Sequence, residues 1–172
     1  MVENGHSPKL PVDTNSVPMT PSLALDAIRH FQQLVWENAP NADRELTDDA
    51  AVAVALDKLA SAYHQTSERL PGNADWLPPC EDVVELKQRA MRNFPDYGSY
   101  LLVDPLGSAA QAPLSGDALD DLVSISCELR EVALRADRFG VADAEWFFRL
   151  LYFSWGNRMR QLSLYVHARQ YG

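Results

Sequence analysis

Apolar residues recur at intervals of three and four positions through five long segments of the chain. This spacing places them on one face of an α-helix, whereas a half-buried strand needs strict alternation. The apolar stripe is clearest between Ser115 and Phe139, where it consists of Ala118, Leu122, Ile125, Leu129, Val132 and Ala136. The other predicted helices cover residues 20–38, 47–70, 81–94 and 141–169. The pattern predicts an all-α fold.

Breaks between these segments indicate how the helices are arranged. Pro40, the Leu70-Pro71-Gly72 corner and Gly140 each end a helix. Helices of these lengths joined by turns predict an antiparallel bundle of about five helices. Residues 1–19 hold three prolines and no apolar periodicity. We therefore expect a disordered N-terminal tail, followed by a single helical domain over residues 20–172.

The stretch from Pro95 to Ser115 is the least regular part of the sequence. Its apolar run, Tyr100 to Val103, is long enough for one strand, but no second run offers a partner. We therefore expect no paired strands, and a long loop packed across the bundle before the fourth helix. Ser115 is predicted to cap that helix, ahead of acidic residues in its first turns.

Acidic residues outnumber basic ones, 24 against 15, so the formal net charge is −9. A nucleic-acid-binding surface needs positive charge to displace counterions, and an anionic membrane attracts basic segments. Neither partner is expected, whereas a basic protein partner is compatible with this charge. The chain also lacks an 18-residue apolar run and an N-terminal secretory signal, which predicts a cytoplasmic protein.

The sequence contains none of the patterns GxGxxG, GxxxxGK[ST], HExxH or GxSxG, which bind cofactors or activate nucleophiles. The four histidines lie on separate segments, and Cys80 and Cys127 belong to no CxxC or Cys/His cluster. We therefore predict no cofactor and no metal site, and we name no catalytic residue.

Glu128 and Glu131 form an ExxE pair on one face of the fourth helix, the pattern with which all-α nucleotide pyrophosphatases hold magnesium. A hard divalent cation needs several oxygen ligands, so such a site requires a second carboxylate pair on a neighbouring helix. Only the stretch from Asp82 to Glu85 offers one. A solvated acidic face is the favoured interpretation of the ExxE pair.

The ends of the last two predicted helices carry opposite charges. Asp120 precedes Gly140 by 20 residues and Arg158 follows it by 18, so folding back at this glycine brings them to similar heights. Residues 146–172 carry +4, which leaves −13 for the rest of a chain whose total is −9. We predict an ion pair between Arg158 and Asp120 or Asp121, with the guanidinium partly desolvated.

The same residues permit a polar pocket bordered by Trp155 and closed by the long loop, although Trp155 is favoured as a core residue. A glycine inside a helix costs about 1 kcal/mol relative to alanine, so we expect a ring or another backbone to pack closely against Gly156. The candidate binding or structural polar site therefore comprises Asp120, Asp121, Trp155, Gly156 and Arg158.

The segment from Tyr100 to His167 resembles a bacterial family known as domain of unknown function 5063. The matching pieces are Asp104-Pro105, Asp120-Asp121-Leu122, Trp155-Gly156 and Val166-His167, and the first helix and the Leu70-Pro71 corner also fit. In the family pattern an acid and an aromatic residue follow Asp-Asp-Leu, and a histidine precedes Trp-Gly. This chain has serines at those places, Ser124, Ser126 and Ser154. The resemblance implies an all-α bacterial domain and implies no activity.

Two functional hypotheses follow from these patterns. The favoured one is a non-enzymatic protein-interaction or regulatory module, which predicts an exposed apolar patch or a large acidic face. The alternative is a small-molecule or magnesium-dependent hydrolase, similar to a nucleotide pyrophosphatase, with its site near Asp120, Asp121 and Arg158. That hypothesis predicts a concave pocket in which carboxylates with shifted pKa values converge.

Overall fold

The computed structural model of the chain describes residues 22–37, 48–68, 75–76, 82–102 and 114–172. Helices make up most of this part, which confirms the all-α class. They are α1 (Leu23–Gln32), α2 (Asp48–Gln65), α3 (Val83–Asn93), α4 (Ala118–Phe139), α5 (Val141–Leu150) and α6 (Tyr152–Tyr171). The predicted tail over residues 1–19 lies outside the described residues, and so does the middle of the predicted long loop.

The core lies where α4 packs against α1, α3, α5 and α6, while α2 packs against α1 and α6. Its largest apolar side chains come from every helix except α3, and they include Phe31, Leu56, Leu59, Leu122, Ile125, Leu129, Phe148, Trp155 and Met159. The apolar stripe predicted for the fourth helix is buried at Ala118, Leu122, Ile125, Leu129 and Val132. Burial of that stripe is what fixes the orientation of α4, because hydrophobic burial is the dominant favourable term in folding.

The prediction of a single final helix over residues 141–169 is wrong, since the helix is broken at Leu151. Leu151 has φ −78° and ψ −2°, and it separates α5 from α6. The indole N–H of Trp155 donates to the Phe148 carbonyl over 3.1 Å. A side chain thus satisfies one of the carbonyls that the end of a helix leaves without an intrahelical partner. The break raises the number of α-helices in the described residues to six, and a π-helical turn over Gln33–Glu37 continues α1.

The prediction of no paired strands is also wrong. Strands β1 (Ser99–Leu101) and β2 (Ser115–Asp117) form an antiparallel pair in which Tyr100 lies opposite Gly116. β2 runs directly into α4, so Ser115 lies in the strand and does not cap the helix. Asp117 caps it, because its Oδ1 accepts from the backbone N–H groups of Leu119 and Asp120 at 3.0 Å each.

The turn at Gly140 has the predicted position. Gly140 follows the last residue of α4, with φ 90° and ψ 170°, and α5 begins at the next residue. Residues with a side chain are essentially excluded from this backbone conformation, so the turn requires glycine. The chain reverses here and returns α5 and α6 along α4.

Candidate functional site: an acidic cleft beside α4

An open cleft of about 660 Å³ lies where the two-stranded sheet, the start of α4 and the first half of α6 meet. The end of β2 and the first turn of α4 contribute three carboxylates, Asp117, Asp120 and Asp121. α6 contributes Phe153 and Arg158, together with polar side chains. Asp120, Asp121 and Arg158, which the sequence predicts as a polar site, therefore line one concavity.

Asp121 is the most buried carboxylate of the cleft, with 12% of its side chain exposed. The Tyr100 hydroxyl donates a hydrogen bond to its Oδ2. Burial raises the pKa of Asp121, although the Tyr100 hydrogen bond and the positive charge of Arg158 act in the opposite direction. Burial also raises the pKa of Tyr100, and the hydrogen bond with Asp121 adds to that rise.

Gly116 allows Tyr100 to reach Asp121. The Tyr100 ring lies over Gly116 on the neighbouring strand, where an added Cβ would lie 2.8 Å from the ring. A real Cβ does not approach a carbon atom so closely, so any other residue at this position would displace the ring. The hairpin is therefore the element that positions Tyr100 over the cleft.

Arg158 lies between two carboxylates of α4. Its Nη1 is 3.6 Å from Asp121 Oδ1 and its Nε is 4.0 Å from Glu128 Oε1. The predicted ion pair between α4 and α6 is thus present, with Asp121 as the partner. The side chain of Arg158 is partly desolvated, as predicted, since 44% of it is exposed.

Asp120 binds a different cation from the one that the sequence predicts. Its Oδ1 is 2.5 Å from the ammonium of Lys87, which reaches the edge of the cleft from α3. Both side chains are about half exposed. We call Asp117 and Asp120 the rim carboxylates, since they lie at the start of α4 and are more exposed than Asp121.

Glu128 lies about two helical turns beyond Asp121 on α4. Ser154 donates to its Oε1 over 2.7 Å, whereas its Oε2 is buried and has no hydrogen-bond partner in the described part of the chain. Burial raises the pKa of Glu128. Burial raises the pKa of Glu131 as well, and the charge of Glu128 adds to this rise.

The second carboxylate pair that magnesium would require is occupied elsewhere. Asp82 caps α3, with its Oδ1 accepting from the backbone of Val84 and Glu85. The carboxylate of Glu85 accepts from Arg89 over 2.6 Å. Among the residues that the structure describes, no three His, Cys, Asp or Glu side chains are grouped so that they could hold a metal ion.

Trp155 and Gly156 do not belong to the cleft. The alternative in which Trp155 borders a pocket is therefore wrong, and the favoured interpretation of Trp155 as a core residue is confirmed. Trp155 is fully buried and stacks on Phe148, with ring centroids 4.7 Å apart. Gly156 is buried beneath the ring of Tyr152, which would lie 2.5 Å from an added Cβ. The predicted close approach to Gly156 is therefore confirmed, but it serves packing, because Tyr152 in turn stacks on Tyr63.

Sequence patterns missed three residues of the site, Tyr100, Lys87 and Phe153. Phe153 lies on the cleft side of α6 and is 77% exposed. Phe153, Asn157 and Gln161 recur every four residues and all line the cleft, so their common helical face was a signal available in the sequence. Tyr100 and Lys87 reach the site from elements far from α4 in sequence, and no local pattern identifies them.

Comparison with protein-family models, with curated proteins and with solved structures found no match to this chain. Membership of domain of unknown function 5063 therefore stays a prediction based on the motifs. Within the described residues, no helix has the length and apolar character needed to cross a bilayer.

Proposed function

We propose that this protein is a non-enzymatic interaction or regulatory module whose cleft binds a basic segment of a partner protein. The observation that carries the proposal is an exposed aromatic side chain, Phe153, in the same cleft as the rim carboxylates. A lysine or arginine side chain satisfies both features, since it pairs with carboxylates and packs its cation over an aromatic face.

The charge of the whole chain supports the same partner. A net charge of −9 attracts a cationic segment over a distance and repels nucleic acid. Asp120 already binds one ammonium group within the fold, that of Lys87. We further propose a cytoplasmic setting for this interaction.

Fluorescence anisotropy with labelled peptides tests the proposal. A peptide rich in lysine and arginine should bind, whereas acidic and neutral peptides of the same length should not. The double variant D117N/D120N should weaken binding by about tenfold or more, which corresponds to about 1.4 kcal/mol. Asparagine keeps the helix cap at position 117, so α4 is preserved. F153A should also weaken binding.

Asp26→Asn is the matched control, because it removes one negative charge from an exposed ion pair on α1. It should change the affinity less than twofold. The proposal fails if no basic peptide binds at millimolar concentration. It also fails if D26N weakens binding as much as D120N alone does, since only the overall charge would then matter.

A small-molecule hydrolase is the second candidate, and the raised pKa of Asp121 inside a concave cleft favours it. Against it, Asp121 is bound by Tyr100 and paired with Arg158, which leaves this carboxylate little freedom to take a proton from a substrate. Incubation with nucleoside triphosphates and magnesium distinguishes the two functions. Turnover that is lost in D121N would replace the interaction proposal with this one.

A further inference from the structure

Lys87 is a basic side chain that already occupies the edge of the cleft. Its ammonium lies 2.5 Å from Asp120 Oδ1, and the two residues belong to different helices, α3 and α4. The hydrogen bond to Asp120 raises the pKa of Lys87, and the charges of Asp120 and Asp117 add to this rise. Lys87 is therefore a cation held by direct contact with one rim carboxylate, that of Asp120.

We propose that Lys87 is an intramolecular competitor, which occupies the carboxylate of Asp120 and must be displaced when a basic partner segment enters the cleft. This inference rests on the proposed function of the cleft. It assigns to Lys87 the regulation of the same site, because the strength of the Lys87–Asp120 pair sets a threshold for binding.

The chemistry of lysine suits this role. The ammonium is carried on a flexible four-carbon chain, so it can leave Asp120 by side-chain rotation while α3 stays in place. An exposed ion pair is weak, and its loss changes an equilibrium constant by about fivefold at most. A partner that offers several cations can supply this difference, whereas a single free cation competes poorly.

The Arg89–Glu85 pair on the same helix offers a matched comparison. Its atoms are 2.6 Å apart and its side chains are about as exposed as those of Lys87 and Asp120. Both of its residues belong to α3, however, and neither lines the cleft. Removing Arg89 thus changes the net charge and breaks an ion pair without freeing a rim carboxylate.

The test measures the affinity of the full chain for the lysine- and arginine-rich peptide in wild type, K87M, K87Q and R89M. Both Lys87 variants should bind about two- to fivefold more tightly than R89M, once thermal unfolding has shown that all four proteins are folded. In the D120N background K87M should bind no more tightly than R89M does in the same background. In wild type, the lysine side-chain NMR signal of Lys87 should move when the peptide is added.

Equal affinities for K87M, K87Q and R89M would overturn the inference while leaving the proposed function intact, provided that the wild type binds. Absence of binding by the wild type and by all three variants would overturn both.

Discussion

Asp121 and Arg158 form the contact at which sequence reasoning and structure agree best, and the agreement has a simple cause. Distance along a helix is fixed at 1.5 Å per residue, so the separation of each residue from Gly140 sets its height on the bundle. The long arginine side chain then tolerates errors in the direction of the helix face. The face of the helix on which Trp155 lies depends on the break at Leu151. No sequence pattern predicts that break.

A double-mutant cycle with R158A and D121N should give a coupling free energy of about 0.5–1 kcal/mol in urea unfolding. The arginine is 44% exposed and the shortest N–O distance is 3.6 Å, so solvent screens the pair and the coupling free energy stays in the range of surface ion pairs. Zero coupling between Arg158 and Asp121 would contradict the importance of this pair.

Tyr100→Phe should destabilise the protein more, by about 1–3 kcal/mol in the same urea unfolding, since it removes a hydrogen-bond donor from the buried carboxylate of Asp121.

Glu128 should make stability depend on pH. Burial raises its pKa in the folded state, so the folded protein holds this proton more tightly than the unfolded chain does. Ionised Glu128 therefore destabilises the fold at neutral pH, and the penalty disappears as pH falls to 4.5, the ordinary value. Glu128→Gln keeps an oxygen that can accept from Ser154 and removes the charge.

We expect E128Q to be more stable than wild type at pH 7 and equally stable below about pH 4.5, the ordinary pKa of glutamate. Urea unfolding between pH 4 and pH 8 would measure the difference. Glu85→Gln is the control, because it removes the same charge from an exposed helix face. The idea is wrong if E128Q is less stable than wild type at pH 7, or if E85Q shows the same trend with pH.

At the scale of elements, long helices were predictable and the short sheet was not. The stripe on α4 repeats over about five turns, so the periodic signal accumulates. β2 consists of Ser115, Gly116 and Asp117, which have no apolar alternation and include two residue types that are rare in strands. Its pairing depends on Tyr100 packing over Gly116 across the two strands, and such a non-local contact leaves no periodic trace in the sequence.

The turn between α4 and α5 should be sensitive to the loss of its glycine. Gly140→Ala is expected to destabilise the protein by about 1–3 kcal/mol, because φ 90° with ψ 170° is strained for any residue with a Cβ. Nothing lies within 4 Å of the added Cβ, so the cost comes from the backbone alone. Gly98→Ala is the control, since its Cβ also meets open space and its φ is not in the left-handed region.

Thermal or urea unfolding of G140A and G98A would measure this backbone cost. G98A should lie within about 0.5 kcal/mol of wild type, as expected for a substitution that disturbs no contact. Equal stability of G140A and wild type would mean that the turn can adopt another conformation, and Gly140 would then not fix the height of Arg158 beside α4.

At the scale of the whole molecule, charge is distributed unevenly along the chain. Residues 146–172 contain four arginines and no acid and so carry +4, while the rest of the chain carries −13, which gives the total of −9. Part of the excess is used within the fold, where Arg169 binds Asp49 at 3.0 Å and Arg158 lies near Asp121. The rim carboxylates, in contrast, lie close to solvent at the start of α4, so part of the acidic excess lies in the cleft.

This acidic excess makes magnesium the sharpest test at the molecular scale. We expect millimolar Mg²⁺ or Mn²⁺ to leave the melting temperature unchanged, relative to sodium chloride of the same ionic strength. Each carboxylate near the cleft has a partner in the fold: Asp117 caps α4, Asp120 binds Lys87, and Glu128 binds Ser154. A hard divalent cation would have to displace several of these partners to collect its six oxygen ligands.

Differential scanning fluorimetry would easily detect the rise in melting temperature that a specific cation site would cause. A cation present at 100 times its dissociation constant stabilises the fold by about 2.7 kcal/mol. For a chain of this length each kcal/mol raises the melting temperature by about 2–4 °C, so a specific site would give a shift of roughly 5–11 °C. Such a shift with Mg²⁺ that disappears in E128Q or D121N would contradict the prediction and favour the hydrolase, whereas a shift that persists in both variants would point to a site away from the cleft.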